Sequence, residues 1–361
     1  MREKCDGLLD DQRKELEAMK AMVLERFGKP MVYKEVPQPA IGKGDILLRV
    51  RACGLCATDI KIFDGNVNTV KLPRIMGHEL AGEVADIGPG VAGWNKGDHG
   101  VVHIYVTCRN CYYCRTGHEN NCNRGRVRIG FEEDGGFGEY VRVPAGNLCK
   151  ISKDIPLEQA CILSGTVATP IHGIRTQGRL RAGETAVIIG IGGLGIHTLQ
   201  LAVAMGARVI AVDIAEDKLE AARRFGAAAT VNSLKNDFVS EVRRLTDGEG
   251  ADMIAEIVAG DQLPSIVEKS VEALRLGGRL VLLGYQYGQR VSLDPAKIVY
   301  DEIEIIGSRA SIRQDLIDVI SFVEGGKVKP VISESFPLEK ANEAFVKLRN
   351  STSLGRIVLT L

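Results

Sequence analysis

Four cysteines lie close together in the sequence, at Cys108, Cys111, Cys114 and Cys122. Thiolate sulfurs are preferred ligands of Zn²⁺, which structural sites hold in tetrahedral geometry at about 2.3 Å. An iron–sulfur cluster is the closest alternative, but its common run ends in a three-residue gap and a Cys-Pro pair, whereas the last gap here has seven residues. The spacing therefore predicts a structural zinc ion whose four positions are all filled by the protein.

A glycine-rich turn follows the short apolar run Ala186–Ile189 and precedes an apolar stretch with helix-forming residues. Its glycines are Gly190, Gly192, Gly193 and Gly195. Such glycines let the backbone turn tightly and approach a pyrophosphate at the positive end of the helix. A second strand ends in Asp213, whose carboxylate can accept hydrogen bonds from the adenosine ribose and repels a 2′-phosphate. Because Ile214 and Ala215 offer no arginine to that phosphate, the pattern favours NAD over NADP.

Two shorter motifs lie upstream of the cysteine cluster. They are Cys53-Gly-Leu-Cys56-Ala-Thr58-Asp59 and Gly77-His78-Glu79-Leu-Ala-Gly82. Neither is specific alone, but the order of all four motifs closely resembles the zinc-containing medium-chain alcohol dehydrogenase family, from about Lys20 to Leu361. The resemblance implies hydride transfer between an alcohol and NAD. It also implies an α/β fold, in which a mostly β GroES-like catalytic domain accompanies a Rossmann domain with a doubly wound parallel sheet.

The resemblance also implies a second, catalytic zinc ion. Cys56 and His78 match its ligands, and Glu79 matches an adjacent carboxylate that can coordinate the metal during turnover. Asp59 matches a residue that orients one ligand by a hydrogen bond. We interpret Cys53 as a buried apolar thiol rather than as a partner of Cys56 in a zinc pair.

One position departs from the family pattern. The usual third protein ligand lies four residues before a threonine that opens the cofactor domain, here Thr169, and this position is Gly165. Three arrangements remain open. Zinc is held by the cysteine, the histidine and Glu79 with water completing the shell, or a local shift recruits Ser164 or Cys161, or the catalytic metal is weakly bound or absent.

Further roles follow from the resemblance. Thr58 matches the hydroxyl that passes the substrate proton onward, and Lys61 matches the outer histidine of that relay; an exposed ion-pairing lysine is the alternative. Thr169, Lys218 and Arg356 match cofactor-binding positions of relatives, although the two basic residues could equally be plain surface charges.

The remaining sequence supplies elements that can position these residues. Short β-type runs broken by glycine and proline extend from Ala21 to about Val143. They include Ile46–Ala52, Leu80–Ile87, Gly100–Ile104 and Tyr140–Val143. Apolar strands then alternate with helices, which predicts a parallel sheet covered on both faces. The strands are Ala186–Ile189, Arg208–Val212, Ala228–Val231, Met253–Val258 and Arg279–Leu283, and the helices Gly195–Met205, Ala215–Phe225 and Leu263–Ala273.

The predicted domain organisation combines these patterns with the resemblance. Residues 1–19 form an N-terminal extension, 20–168 and 311–361 the catalytic domain with its zinc lobe at 108–122, and 169–310 the Rossmann domain. At 361 residues the chain exceeds the usual size of one hydrophobic core. Helices at Arg313–Phe322 and Leu338–Lys347 and a last strand at Arg356–Leu361 complete the catalytic part.

Composition narrows the possible partners. Lys plus Arg and Asp plus Glu both number 46, so no basic excess favours nucleic acid or an anionic membrane. The first twenty residues are charged and lack the apolar run of a secretory signal, and the apolar stretch Thr185–Val212 is explained by the glycine loop and its helix. We therefore expect a cytoplasmic enzyme, and the resemblance suggests a homodimer or homotetramer.

Two other functions remain to be weighed. One is an NAD(P)H-dependent reductase of activated C=C bonds without catalytic zinc, which only Gly165 supports. The other is a non-enzymatic NAD-binding protein, which the intact Thr58, Asp59, Glu79 and Asp213 oppose. The substrate stays open among secondary alcohols, polyols and larger cyclic or thioester-linked alcohols.

Overall fold

The structure is a computed structural model that describes residues 17–350 and 354–361. Its strands are β1 (Ala18–Leu24), β2 (Val32–Pro37), β3 (Asp45–Leu55), β4 (Arg74–Ile75), β5 (Glu79–Ile87), β6 (His99–Val102), β7 (Tyr105–Val106), β8 (Val127–Arg128), β9 (Tyr140–Pro144), β10 (Leu148–Lys150), β11 (Thr185–Ile189), β12 (Arg208–Asp213), β13 (Ala229–Asn232), β14 (Ala251–Glu256), β15 (Leu274–Leu282), β16 (Glu304–Gly307), β17 (Ile332–Pro337) and β18 (Arg356–Thr360).

The α-helices are α1 (Ala57–Phe63), α2 (Tyr112–Arg115), α3 (Leu157–Cys161), α4 (Ala168–Ile171), α5 (Gly193–Ala204), α6 (Glu216–Arg224), α7 (Phe238–Leu245), α8 (Leu263–Ala273), α9 (Pro295–Tyr300), α10 (Arg313–Glu324) and α11 (Ala341–Asn350). Short 3₁₀ helices span Glu119–Asn121, Ala145–Asn147 and Leu338–Lys340, and π-helical segments span Leu163–Val167 and His172–Gln177. Across residues 17–350 and 354–361, no helix has the length and apolar character needed to cross a bilayer.

Six strands form a fully parallel sheet in the order β13-β12-β11-β14-β15-β16. This is the doubly wound Rossmann order, in which the direction of winding reverses between β11 and β14. The reversal leaves a crevice beyond the carboxyl ends of these two strands, where such sheets bind ligands. The buried apolar strands predicted from the sequence form this sheet because helices cover both of its faces.

A mixed sheet in the order β10-β6-β5-β3-β18-β17, with β9 also pairing β3, forms the first module. The register sets Glu79 of β5 opposite Gly54 of β3, and Leu55 of β3 opposite Ile357 of β18. The last strand of the chain therefore lies beside the end of β3, where the Cys56 motif begins. The predicted α/β class, with a mostly β module and a doubly wound parallel sheet, is confirmed.

The helical segment from residue 163 to 177 lies between the two sheets. One buried apolar cluster includes Ala52 and Val101 from the mixed sheet, Ile171 from this segment, and Ile188 from the parallel sheet. The sequence analysis missed this segment's π-helical turns, as well as α7. Strand β1 begins at Ala18, so residues 18 and 19 belong to a strand and not to the predicted N-terminal extension. Residues 1–16 of that extension lie outside the described residues.

A buried histidine links the glycine-rich turn to the segment that leads into β17. His197 Nδ1 lies 2.7 Å from the Gly193 carbonyl oxygen, and the Val331 N–H donates to His197 Nε2 at 2.9 Å. Gln200 adds two hydrogen bonds to the backbone of Lys329. Because Nδ1 faces an acceptor and Nε2 faces a donor, the ring is neutral with its proton on Nδ1. Burial lowers the pKa of His197 to about 4.

We expect this histidine to make the folded protein acid-sensitive. The unfolded chain takes up a proton near pH 6.5 whereas the folded protein does so only near pH 4, so stability is full above 6.5 and falls as the pH drops towards 4. The loss is about 2 kcal/mol at about pH 5. Urea unfolding of the wild type and His197→Gln at about pH 7.5 and about pH 5 measures it. An equal pH dependence in both proteins would contradict this assignment.

Candidate active site and dinucleotide crevice

The first turn of α1 fixes the thiol of Cys56. Strand β3 ends at Leu55, and Cys56 adopts an extended backbone as the cap of the helix. Its sulfur accepts the Thr58 N–H at 3.5 Å, while Asp59 Oδ2 accepts the Cys56 N–H at 2.8 Å. A cysteine and an aspartate thus form a capping box, and the sulfur is held at the junction of the sheet and α1.

His78 faces this sulfur from the start of β5. Its Nδ1 lies 2.9 Å from Oδ1 of the fully buried Asp59, which leaves Nε2 for Cys56. Burial would lower the pKa of His78, but the Asp59 carboxylate raises it well above its ordinary value. Burial would raise the pKa of the Cys56 thiol, but the charge of Arg356 and the His78 hydrogen bond together lower it. A carboxylate behind a histidine is the usual support of a zinc ligand.

Glu79 is buried in an ion pair that the sequence did not predict. Arg356 donates from Nε to Glu79 Oε2 at 3.0 Å and from Nη2 to Oε1 at 2.7 Å, and the Thr166 hydroxyl donates to the same carboxylate at 2.9 Å. The opposite side of the guanidinium reaches the glycine turn, because Arg356 Nη1 lies 3.6 Å from where a Cβ of Gly193 would lie. Arg356 thus connects the candidate metal site with the predicted cofactor loop.

Three ligand types converge beside this ion pair. The sulfur of Cys56, a ring nitrogen of His78 and a carboxylate oxygen of Glu79 lie within 4.8 Å of one another. Cys161 does not join this set, since its thiol donates to the Glu158 carbonyl oxygen at 3.1 Å. Thiolate, imidazole and carboxylate together form a donor set that zinc accepts.

Gly165 makes room for the carboxylate of Glu79. A Cβ at this position would lie 2.3 Å from Glu79 Oε1, which is closer than any side chain allows. The space beside Gly165 is therefore filled by the carboxylate of Glu79 from β5. Glycine at 165 and the position of Glu79 depend on each other.

The four cysteines of the lobe have the spacing of a tetrahedral site. Their sulfur separations are 3.5 Å for Cys111–Cys114, 3.6 Å for Cys108–Cys122, and 3.9 Å for both Cys108–Cys114 and Cys111–Cys122. Four bonds of about 2.3 Å at tetrahedral angles place sulfurs about 3.8 Å apart. A disulfide needs a separation of about 2 Å, so these distances fit a shared metal ion and not cross-links.

The glycine turn is shaped for close backbone approach. Gly190 has a φ of +92°, which favours glycine, and a Cβ on Gly195 would lie 1.8 Å from the Gly190 carbonyl oxygen. In contrast, a Cβ on Gly192 would meet nothing within 4 Å, so this residue borders open space at the start of α5. The turn thus presents backbone and a helix N-terminus to the crevice, which suits a pyrophosphate.

Asp213 ends β12 at the edge of the same crevice. Its carboxylate accepts hydrogen bonds from the backbone N–H groups of Ile191, Ile214 and Ala215 at 2.6, 2.8 and 3.0 Å. These bonds fix the carboxylate against the glycine turn and leave lone pairs for a ribose. Lys218 is half-buried on α6, and the described residues provide it with no ion-pair partner.

The other predicted residues differ in their surroundings. Thr58 is half-buried on α1, and Thr169 is half-buried on α4. Lys61 turns its ammonium group onto the ring of Tyr285, 3.5 Å from the centroid. Sequence reasoning missed both Tyr285 and the Glu79 partner Thr166, since neither belongs to a recognisable motif.

We expect removal of the Glu79 carboxylate to destabilise the fold. Arg356 is only 6% exposed, and Glu79→Ala would leave its charge buried without a counter-ion. The cost of such a loss is about 3–5 kcal/mol, measurable by urea unfolding. Glu79→Gln keeps the volume and hydrogen-bonding groups of the side chain and is the matched control. It should lower the free energy of unfolding less than Glu79→Ala does. Equal stability of Glu79→Ala and the wild type would contradict the role assigned to the pair.

Known protein families, sequences and structures match this chain over most of its length. Residues 42–153 match the family described as "Alcohol dehydrogenase GroES-like domain", and residues 193–325 match "Zinc-binding dehydrogenase". An NAD-dependent alcohol dehydrogenase of Sulfurisphaera tokodaii is 35% identical, with 94% of this chain and 99% of the relative covered. An alcohol dehydrogenase of Geobacillus stearothermophilus is also 35% identical, with the same coverage. The crystal structure of AibC superposes with a TM-score of 0.90 at 36% identity, covering 95% of this chain and 96% of that one.

Proposed function

The chain belongs to the zinc-containing medium-chain alcohol dehydrogenase family, and from this premise we propose that it transfers a hydride between an alcohol carbon and NAD at a zinc-dependent site. The observation that carries this proposal is the convergence of Cys56, His78 and Glu79 near the crevice of the parallel sheet. Bound NAD would supply the hydride acceptor. Zinc on the three side chains would act as a Lewis acid towards the substrate oxygen.

Among the three arrangements for the metal, the first has the most support. The Cys161 thiol is engaged by a backbone carbonyl, and Gly165 leaves its space to Glu79. Arg356 and Thr166 hold the Glu79 carboxylate beside the other two ligands. We therefore assign the metal to Cys56, His78 and Glu79, with Asp59 orienting the histidine.

The protein would also hold a structural zinc ion and select its dinucleotide. The sulfur separations in the cysteine lobe support zinc there, which makes two zinc ions per chain. The buried carboxylate of Asp213 supports NAD rather than NADP, because a 2′-phosphate would bring a second negative charge against it. Lys218 and Arg356 remain the proposed cationic contacts of the cofactor, and Thr169 a polar one.

Proton transfer would begin at Thr58. Its hydroxyl lies two residues beyond Cys56 and is half-buried, so it can accept the proton of a substrate hydroxyl and pass it towards solvent. The eight cysteines of the described residues form no disulfide bonds, which supports a reducing, cytoplasmic setting.

We expect Cys56→Ala to abolish turnover while leaving dinucleotide binding intact. Loss of the thiolate ligand should reduce zinc from about two ions to about one per chain and lower NAD reduction at least about 100-fold. The measurements are metal analysis and NAD reduction with a panel of secondary alcohols, polyols and cyclic alcohols. NADH fluorescence checks that the cofactor still binds.

Cys149→Ala is the matched control, because Cys149 is buried on β10 and belongs to neither of the two proposed zinc sites. Unchanged alcohol oxidation in Cys56→Ala would refute the zinc mechanism. A wild type with one zinc ion per chain that reduces activated C=C bonds, but oxidises no alcohol, would favour the reductase without catalytic zinc instead. Gly165 is the observation that keeps this second candidate open.

A second copy of the chain is the proposed partner at the edge of the parallel sheet. Strand β16 pairs only with β15 among the described residues, so its other side is unpaired. Val299 and Tyr300, just before it, are 70% and 85% exposed. An open edge with exposed apolar side chains suits symmetric pairing between two protomers, as a dimer or within a tetramer.

We expect charges at this edge to reduce the size of the assembly. In Val299→Lys/Tyr300→Glu, burial of two charged side chains would oppose pairing, and light scattering after gel filtration should show a smaller species than the wild type. Val346→Lys, at another exposed valine on α11, is the control. A wild type that is already monomeric would contradict the proposed interface.

A further inference from the structure

A cation–aromatic contact joins the two modules at the surface. The Lys61 ammonium group lies 3.5 Å from the ring centroid of Tyr285 and 5.9 Å from that of Tyr287. The two tyrosine rings meet edge to face at 5.5 Å and 74°. Lys61 comes from α1, whereas both tyrosines follow β15 of the parallel sheet. We call these three residues the clasp.

The clasp stands where the crevice meets the candidate metal site. Tyr285 directly follows Gly284, whose Cβ would lie 2.0 Å from the Val258 carbonyl oxygen, and Val258 itself borders Gly190 of the cofactor turn. Lys61 lies one helical turn beyond Thr58, on the helix that Cys56 begins. The contact therefore bridges the carboxyl edge of the sheet and the helix that carries a proposed zinc ligand.

We propose that the clasp gates cofactor exchange, with Lys61 acting as a positioning residue that closes the crevice rather than as the outer end of a proton relay. This rests on the proposed function, since it requires NAD in the crevice. Tyr285 adjoins the glycine turn through Gly284 and Val258, and Lys61 adjoins Cys56 through α1, so a nicotinamide placed between the turn and Cys56 would lie between α1 and the end of β15. The clasp connects these two walls.

The exposure of the clasp suits a gate. Tyr285 and Tyr287 are 46% and 75% exposed, so the contact can open without breaking a buried core. A gate that is closed both before and after NAD binds stabilises the two states equally, so its loss would leave the dissociation constant unchanged. Weakening it lowers the barrier to opening in both directions.

The decisive experiment is stopped-flow measurement of NADH binding and release, followed by cofactor fluorescence. Lys61→Met and Tyr285→Leu remove the cation and the ring, whereas Lys61→Arg and Tyr285→Phe keep them. Arginine stays protonated, so Lys61→Arg preserves a cation–aromatic contact but cannot relay a proton. The pH profile of turnover is measured on the same proteins.

Lys61→Met and Tyr285→Leu should each raise both the association and the dissociation rate about two- to fivefold, with the dissociation constant unchanged. The double variant should be no faster than either single one, and Lys61→Arg and Tyr285→Phe should match the wild type. Unchanged rates in Lys61→Met, or additive rates in the double variant, would overturn the gate. Unchanged rates together with a pH profile altered equally in Lys61→Arg and Lys61→Met would assign Lys61 to the relay. A wild type that binds no NADH would reject the proposed function itself.

Discussion

The buried ion pair between Glu79 and Arg356 is the interaction on which the rest of the site depends. Two charges removed from water are tolerated only when they satisfy each other in good geometry, and this pair is bidentate with a threonine hydroxyl completing it. The pair exists because β5 and β18 flank β3 in one sheet. It fixes a carboxylate beside Cys56 and His78, and it places the same guanidinium next to the cofactor turn.

The position of the Glu79 carboxylate in that pair explains why residue 165 is a glycine. Read alone, a glycine at a ligand position suggests a lost metal site. In the structure the space beside Gly165 is filled by the carboxylate of Glu79, 86 residues earlier in the chain, which would collide with any side chain at 165. In the proposed site, Glu79 would thus compensate for the missing side chain at 165, with Arg356 as the counter-ion that holds its carboxylate in place. This argues against treating an empty ligand position as proof of a metal-free enzyme.

The features that could best be predicted from the sequence are those determined within short stretches of the chain. The cysteine lobe and the glycine turn are encoded within short stretches, and the alternation of apolar strands with helices indicated the parallel sheet. The Glu79–Arg356 pair joins residues 277 positions apart, and only the register of the sheet brings them together. Similarly, the contact of Lys61 with Tyr285 depends on how two modules meet. The π-helical turns around Thr166 have no periodic signature that differs from an ordinary buried helix.

Contacts between the two modules differ in burial, and this difference decides where the crevice can open. His197 and Gln200 join the start of the Rossmann helix α5 to the returning chain through buried hydrogen bonds, and Arg356 lies equally deep. Breaking these contacts would leave polar groups without partners, which is costly. The tyrosines opposite Lys61 are exposed, and water can replace their contact at little cost. In the proposed gate, the modules would separate first at this exposed contact and pivot about the buried ones, which would admit the cofactor on the side of Lys61.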